Sequence, residues 1–378
     1  MGSGPVRAPT RIVDVHAVPL DVPMSEPFAI AGGETSALRN VLVRVRLADG
    51  TEGFGEAAPL AAFNGETQPQ VLRDVEGTAG DLVGREAADW RPLLEAIDER
   101  LASSGAARAA LSMAILDAWT RSIGLPLRRL FGGAATSVSS DVTVALVAPD
   151  AARRAARRIL RLGVRTIKIK VGAGIEADEA RVRAVAEAAP RAALILDANQ
   201  GFTARDSLRL LRRLRRAGIA PVLFEQPAAK DDWQGLADVH RLGRVRVAAD
   251  ESVATRADAV AIVRARAAQV VNVKLMKSGV LAAWEIALVC RAAGLGLMIG
   301  AMVETSLALS AAAHLAAGLG GFEFVDLDTS LWLAADPMRG VRFARGGRYD
   351  LGRVAAGIGV EPARRSGLLP RSSAGKVR

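Results

Sequence analysis

TIKIKV (166–171), ALILDAN (193–199), VLFEQP (222–227) and VRVAADES (245–252) are four short β-rich runs, each carrying charged residues at its end. Between them lie segments of Ala, Leu and Arg with helical periodicity. The same alternation extends outward, to VTVAL (142–146) on one side and to VVNVKLM (270–276), LGLMIGAM (295–302) and FEFVDLD (322–328) on the other. Successive starts lie within 22 to 29 residues of one another, the length of one strand, one helix and two short loops. Eight such strands predict a closed parallel barrel. An open doubly wound sheet is the structural alternative, but no glycine-rich nucleotide fingerprint follows the first strand.

The first third of the chain reads differently. RIVDVHAVPL (11–20) alternates as a strand does, and RNVLVRVRLADGTEGFGEAAP (39–59) reads as a hairpin. Val43, Val45 and Leu47 share one face, Arg44 and Arg46 the other, and Asp49-Gly50 supplies the turn. Helical patterns follow at about 67–82, 90–103 and 106–122, the last stopped by Gly124 with Pro126 beyond it. The expected organisation is an N-terminal α+β domain over 1–135 and a barrel over 136–344. The segment from about 345 to 378 is expected to pack back on the first domain, with a frayed tail at its end.

Composition narrows the class. Half of the 378 residues are hydrophobic, as in a globular protein. No apolar run approaches the roughly 18–20 residues of a membrane span, and no apolar stretch follows the N-terminus to suggest a secretory signal. The single cysteine, Cys290, lies in the apolar run IALVC and reads as core. A cytoplasmic location is expected. The net charge of +10 comes mostly from arginines at helical spacing, in ARRAARRILR (152–161) and RLLRRLRRAG (209–218). They read as solvated helix faces rather than a nucleic-acid patch, since they are scattered over several helices without a binding motif.

In a barrel of this kind the site lies at the C-terminal ends of the strands. Lys168 and Lys170 end the second run, Asp197 and Asn199 the third, Glu225 the fourth, Asp250 and Glu251 the fifth; Lys274 is on the sixth, and Asp326 and Asp328 end the eighth. Three carboxylates converging from consecutive strands would repel one another unless a cation joined them, and hard oxygen ligands suit Mg²⁺ better than zinc. Lys168 and Lys170 share a face, two residues apart on a strand. Lys274 arises four strands further round, on the opposite side. One amine can take a proton from carbon while the other returns one to the opposite face, which inverts a stereocentre. That chemistry needs one neutral lysine, favoured by a dication and a second lysine nearby, and a metal to stabilise the enediolate. Lys277, just beyond Lys274, reads as exposed. His314 reads as structural, and His16 and His240 as peripheral. Trp332 reads as pocket wall or core, and Tyr349 suggests nothing.

Taken together these residues resemble the enolase superfamily, in its muconate-lactonizing subgroup. The likeness runs over nearly the whole chain, through PFAIAGG, GFGEAAP and ALSMAILDAWTRSIGLPLRRLFGG, then TIKIKVG, DANQGF, FEQP, ADES, NVKLMKSG and IGAMVETSLALSAAAHLAAG. It implies an α+β capping domain over a modified (β/α)₇β TIM-type barrel. It also implies Asp197, Glu225 and Asp250 as Mg²⁺ ligands and Lys170 and Lys274 as the acid/base pair. Lys168 and Thr143 would contact the substrate, with Asn199 and Glu251 behind the ligands.

The eighth strand narrows the choice further. Asp326-Leu327-Asp328 is similar to the aspartate pair of dipeptide epimerases, which bind a free α-ammonium. Two carboxylates on one face of a strand can clamp a cation. The expected activity is therefore epimerisation at the α-carbon of the C-terminal residue of a dipeptide, by a homo-oligomer that needs neither nucleic acid nor membrane. The alternatives of the same architecture are an N-acylamino acid racemase, an o-succinylbenzoate synthase and a muconate cycloisomerase, whose substrates lack that ammonium. A basic nucleic-acid-binding scaffold is the non-enzymatic alternative. The arginine with which alanyl-glutamate epimerases can hold a glutamate side chain has no counterpart at Gly33, although Arg39 lies further along. The small, apolar loop 28–33 suits a hydrophobic or neutral residue, and Glu34 leaves a cationic one open.

Overall fold

The computed structural model describes residues 10–30, 33–364 and 366–368. The chain starts with an antiparallel sheet of β1 (Ile12–Ile30), β2 (Gly33–Leu47) and β3 (Glu52–Ala57). Val43, Val45 and Leu47 are buried, as the alternation requires, and the Asp49 carboxylate accepts a hydrogen bond from the Thr51 amide in the turn. Helices α1 (Gln68–Leu82) and α3 (Gly105–Ser122) cover this sheet, and α2 (Trp90–Arg100) packs on α3. α3 lies so close to β3 that a Cβ on Gly53 would stand 2.1 Å from the Ala118 nitrogen, and one on Gly55 2.0 Å from the Ala110 oxygen. Alanines at 110, 114 and 118, four residues apart on one helix face, make that approach possible.

Eight parallel strands follow, alternating with helices. They are β4 (Val142–Val144), β5 (Thr166–Lys170), β6 (Ala193–Asp197), β7 (Leu223–Glu225), β8 (Val247–Ala249), β9 (Val270–Val273), β10 (Gly296–Ile299) and β11 (Phe322–Val325). Neighbours in sequence are neighbours in the sheet throughout. Each ladder is shorter than the β-rich run that foretold it. Asn199, Gln200 and Gln226 take positive φ, so the chain leaves β6 and β7 directly after Asp197 and Glu225. Left-handed backbone at non-glycine residues is costly and concentrates at working sites.

Between β4 and β11 the barrel is closed by single hydrogen bonds. The Asp141 amide donates to the Val325 carbonyl (2.8 Å), the Leu327 amide to Ser140 Oγ (2.7 Å) and the Thr143 amide to Asp328 Oδ2 (2.7 Å). Buried Tyr349 donates its hydroxyl to the Leu327 carbonyl at 2.7 Å. Tyr349, which suggests nothing as a sequence position, thus holds the peptide between the two aspartates that follow the last strand.

The first domain grips the barrel at several points, two of them close to the strand ends. Buried Glu56, in β3, accepts hydrogen bonds from the Thr305 amide and hydroxyl and from Asn40. At the other point, the N-terminus of α3 packs on the loop after β9, where a Cβ on Gly105 would lie 2.5 Å from the Lys277 carbonyl oxygen. Near the C-terminus the Ile358 amide donates to Asp117 of α3 (2.7 Å), and the Leu127 amide donates to the Gly357 carbonyl (2.8 Å). His314 is structural: Nδ1 accepts from the Arg128 amide, which leaves Nε2–H to donate to the Ile358 carbonyl. Burial pushes its pKa down to about 4. Cys290 is buried. Among the described residues no helix is long and apolar enough to cross a membrane.

Candidate active site

Parallel register sets the site. Lys170 pairs with Asp197, and Asp197 with Glu225, so three functional side chains stand in one row across β5, β6 and β7. Thr143 is level with Lys168 one row below. Asp250 follows β8, and Lys274 follows β9 directly across the barrel from β5. Every one of these side chains is buried, the three carboxylates completely.

The ammonium groups and the carboxylates interlock. Lys168 Nζ lies 2.9 Å from Asp197 Oδ2, 2.7 Å from Glu225 Oε2 and 2.6 Å from Asp326 Oδ2. Lys170 Nζ donates to Asp197 Oδ2 (2.7 Å) and Asn199 Oδ1 (2.8 Å), and Lys274 Nζ to Asp250 Oδ2 (2.7 Å). The Phe63 ring, from the first domain, covers Lys274 with its centroid 5.0 Å from Nζ. Asn199 also donates to Glu251 Oε1 at 3.4 Å.

Lys277 is not exposed. It is buried and spends all three of its donors, on Asp250 Oδ1 (2.8 Å), the Asp250 carbonyl (2.6 Å) and the Asn272 carbonyl (2.8 Å). Lys274 is still extended and the chain turns after it, with the Lys277 amide bonded to the Lys274 carbonyl, and the turn brings the side chain back to Asp250. Asp141 was also missed. It lies two residues before Thr143 and so faces the same way, which an alternation argument could have found. Asn272, which donates to Glu225 Oε1 at 2.7 Å, has the same kind of signal, two residues before Lys274.

These charges split the carboxyl groups into two sets. Burial pushes Asp197 and Asp250 up, but the lysines beside them outweigh it and hold both well below the usual carboxylate range. Burial, then Asp197 and Asp250, push Glu225 up to about 7 despite Lys168. Glu251 is pushed up to about 8 by burial and Asp250, and Glu304 to about 8 by burial and Glu56. Lys274 is held above its ordinary range because Asp250 and Glu225 outweigh its burial. A base needs the opposite, and a dication on the same carboxylates would reverse that balance.

The donor set suits such an ion: three anionic oxygen ligands, fully buried, with Glu225 Oε2 receiving no well-aligned hydrogen bond although Lys168 is close. Among the described residues no three acids, histidines or cysteines stand together at ligand spacing. Lys168 stands between Asp197 and Glu225, so an ion held by both would take the place of its ammonium.

Family models match both parts of the chain. Residues 12–132 match the mandelate racemase/muconate lactonizing enzyme N-terminal domain, and residues 150–366 the enolase C-terminal domain-like family. The chain belongs to the mandelate racemase/muconate lactonizing enzyme family. Within it, an aromatic dipeptide epimerase of Herpetosiphon aurantiacus is 43% identical over 94% of this chain and 100% of its own length. A mandelate racemase/muconate lactonizing enzyme from Roseiflexus sp. superposes with a TM-score of 0.89 at 48% identity, covering 95% of this chain and 99% of that one. The dipeptide epimerase of Enterococcus faecalis V583, complexed with Mg and L-Leu-L-Tyr, gives 0.89 at 34% identity, covering 93% and 99%.

The mandelate racemase/muconate lactonizing enzyme fold therefore underlies both the barrel and its cap. The loop 28–34, where side-chain preference was sought, falls partly outside the described residues, as do the side chains of 26–35. The last strand end is described: Asp328 is bonded to the Thr143 amide, Asp326 to Lys168, and a cavity of about 420 Å³ is lined by Thr143, Ile159, Leu331 and Trp332.

Proposed function

We propose that this chain is a Mg²⁺-dependent dipeptide epimerase that inverts the α-carbon of the C-terminal residue by 1,1-proton transfer between two lysines. The observation that carries the reading is the placing of Lys170 and Lys274 on opposite sides of the barrel, either side of three buried carboxylates, with Asp326 and Asp328 at the last strand. Asp197, Glu225 and Asp250 would hold Mg²⁺, with Asn199 and Glu251 behind them. When bound, the ion supplies positive charge that stabilises the negative charge developing on the substrate carboxylate. Lys168, drawn off the carboxylates, meets that same carboxylate, and Thr143 lines the pocket beside it. Lys170 removes or returns the α-proton on one face and Lys274 on the other. Asp326 and Asp328 take the N-terminal ammonium, which N-acyl substrates lack.

The names of the relatives support a dipeptide with a hydrophobic or aromatic side chain, as does the Phe63 ring over Lys274. In the same reading the enzyme acts in the cytoplasm as a homo-oligomer, without nucleic acid or membrane. Its cap spans 1–135, with 345–378 returning to it, and its barrel spans 136–344.

The test is a dipeptide library incubated in D₂O and read by mass spectrometry. Deuterium should enter only the α-position of the C-terminal residue, stop with EDTA and resume with Mg²⁺. Lys170→Ala and Lys274→Ala should each abolish epimerisation, and normal epimerisation by both would end the two-lysine mechanism. Turnover of N-acylamino acids with none of free dipeptides would favour the racemase alternative.

A further inference from the structure

We propose that Asp141 is a positioning residue for the substrate's ammonium group: its carboxyl donates a hydrogen bond to Asp326 and holds that carboxylate where the dipeptide's N-terminal cation meets it. The inference rests on the dipeptide reading above and adds a residue to it. Asp141 precedes β4, and its amide is tied to the Val325 carbonyl, one residue before Asp326. Its side chain points into the barrel beside Asp326 and Asp328 of the last strand and Lys168 of β5. It is 2% exposed, and neither of its oxygens receives a hydrogen bond.

The two other carboxylates of the cluster each have a donor. Asp326 takes the Lys168 ammonium and Asp328 the Thr143 amide. Lys170 and Lys274 act on Asp326 from further off, and among the described residues the ammonium in contact with this cluster is that of Lys168, which is shared with Asp197 and Glu225. Three buried like charges so placed do not all ionise, and the proton settles on the member with no donor. That member is Asp141, which burial and then Asp326 push well above the carboxylate range against the pull of Lys168. A protonated Asp141 has one O–H to give. An anion left unpaired at this depth would be far costlier than a neutral acid bonded to its neighbour.

Asp326 would then keep its full charge while one of its oxygens is fixed, and the ammonium would meet a pre-set acceptor. In this role Asp141 acts as a donor and not as a charge, so the amide of Asn, which also donates, should replace it. The experiment compares wild type, Asp141→Asn and Asp141→Leu on L-Leu-L-Tyr, with steady-state kinetics and deuterium exchange. Asp141→Asn should keep KM within about threefold, and Asp141→Leu should raise KM about tenfold or more with kcat little changed. Equal loss in both variants would mean that the anion is needed, and no loss in either would mean that the residue is idle; each overturns the proposal. Infrared difference spectra at neutral pH serve even where Asp141→Leu does not fold. Glu251 and Glu304 contribute protonated carboxyl stretches to both proteins, so the wild-type-minus-Asp141→Asn spectrum should show the loss of one further buried carboxyl band, and a spectrum without that loss overturns the proposal. A wild-type enzyme that exchanges no dipeptide α-proton would instead refute the dipeptide reading, with Asp141 falling alongside it.

Discussion

Lys277→Met is the substitution whose consequence follows most directly from the geometry. The lysine carries three hydrogen bonds of 2.6 to 2.8 Å, two of them to Asp250. Methionine fills most of the same volume but takes a donor away from Asp250 Oδ1 and from the Asp250 and Asn272 carbonyl oxygens, the Asp250 carbonyl keeping only the Val253 amide. Removing one partner of a buried ion pair costs about 3–5 kcal/mol, because the other charge is stranded. Lys274 still lies 2.7 Å from Asp250 Oδ2, so the lower end applies, about 3 kcal/mol. Equilibrium urea unfolding of the metal-free protein can read this through tryptophan fluorescence, since Trp284 lies on the helix that begins after Lys274 and stacks on Trp90. The double variant Lys277→Met/Asp250→Asn should lose less than the sum of the two single losses, since both singles break the same pair, although Lys274 loses its partner wherever Asp250 is neutral. A single variant within about 1 kcal/mol of wild type, or losses that simply add in the double variant, would refute the view of Lys277 as the counter-ion of Asp250.

Two further outcomes are expected. Tyr349→Phe removes the hydroxyl that bonds the Leu327 carbonyl and should cost about 1–2 kcal/mol, with KM for a dipeptide rising severalfold and kcat little changed; an unchanged KM would separate Tyr349 from the aspartate pair. Glu304, pushed up to about 8 from an ordinary 4.5, holds a proton in the folded protein that the unfolded chain releases. Its burden is absent below about pH 4.5 and grows until about pH 8, so stability of the metal-free protein falls as pH rises through that window. Glu304→Gln should flatten the fall by up to about 1.4 kcal/mol per pH unit, and a slope identical to wild type would contradict the assignment.

Much of the barrel was legible because strand ends impose a simple rule. Asp197, Glu225 and Asp250 each close an apolar run, and parallel register brings such positions together. Lys168 and Lys170 followed from alternation alone. Lys277 did not, because its spacing from Lys274 matches a helix turn on a solvated surface, and only the turn that starts at Lys274 sends it inward. Tyr349 gave no signal of any kind. Its partner is a backbone carbonyl, which no residue type advertises, in a pairing set by the course of the last segment. The interlocking of Lys168 with two of the three carboxylates was equally invisible, since sequence shows which charges meet but not which cation sits between them.

The seam between the first and last barrel strands has a consequence for how the molecule is made. A ribosome delivers Ser140 and Asp141 long before it delivers Val325, Leu327 and Tyr349, yet these residues close the ring together. Contacts so distant along the chain form slowly. A nascent chain can therefore stack strand on strand as it emerges and still hold an open ring, and the Asp326–Asp328 end of the last strand finds its partners last of all.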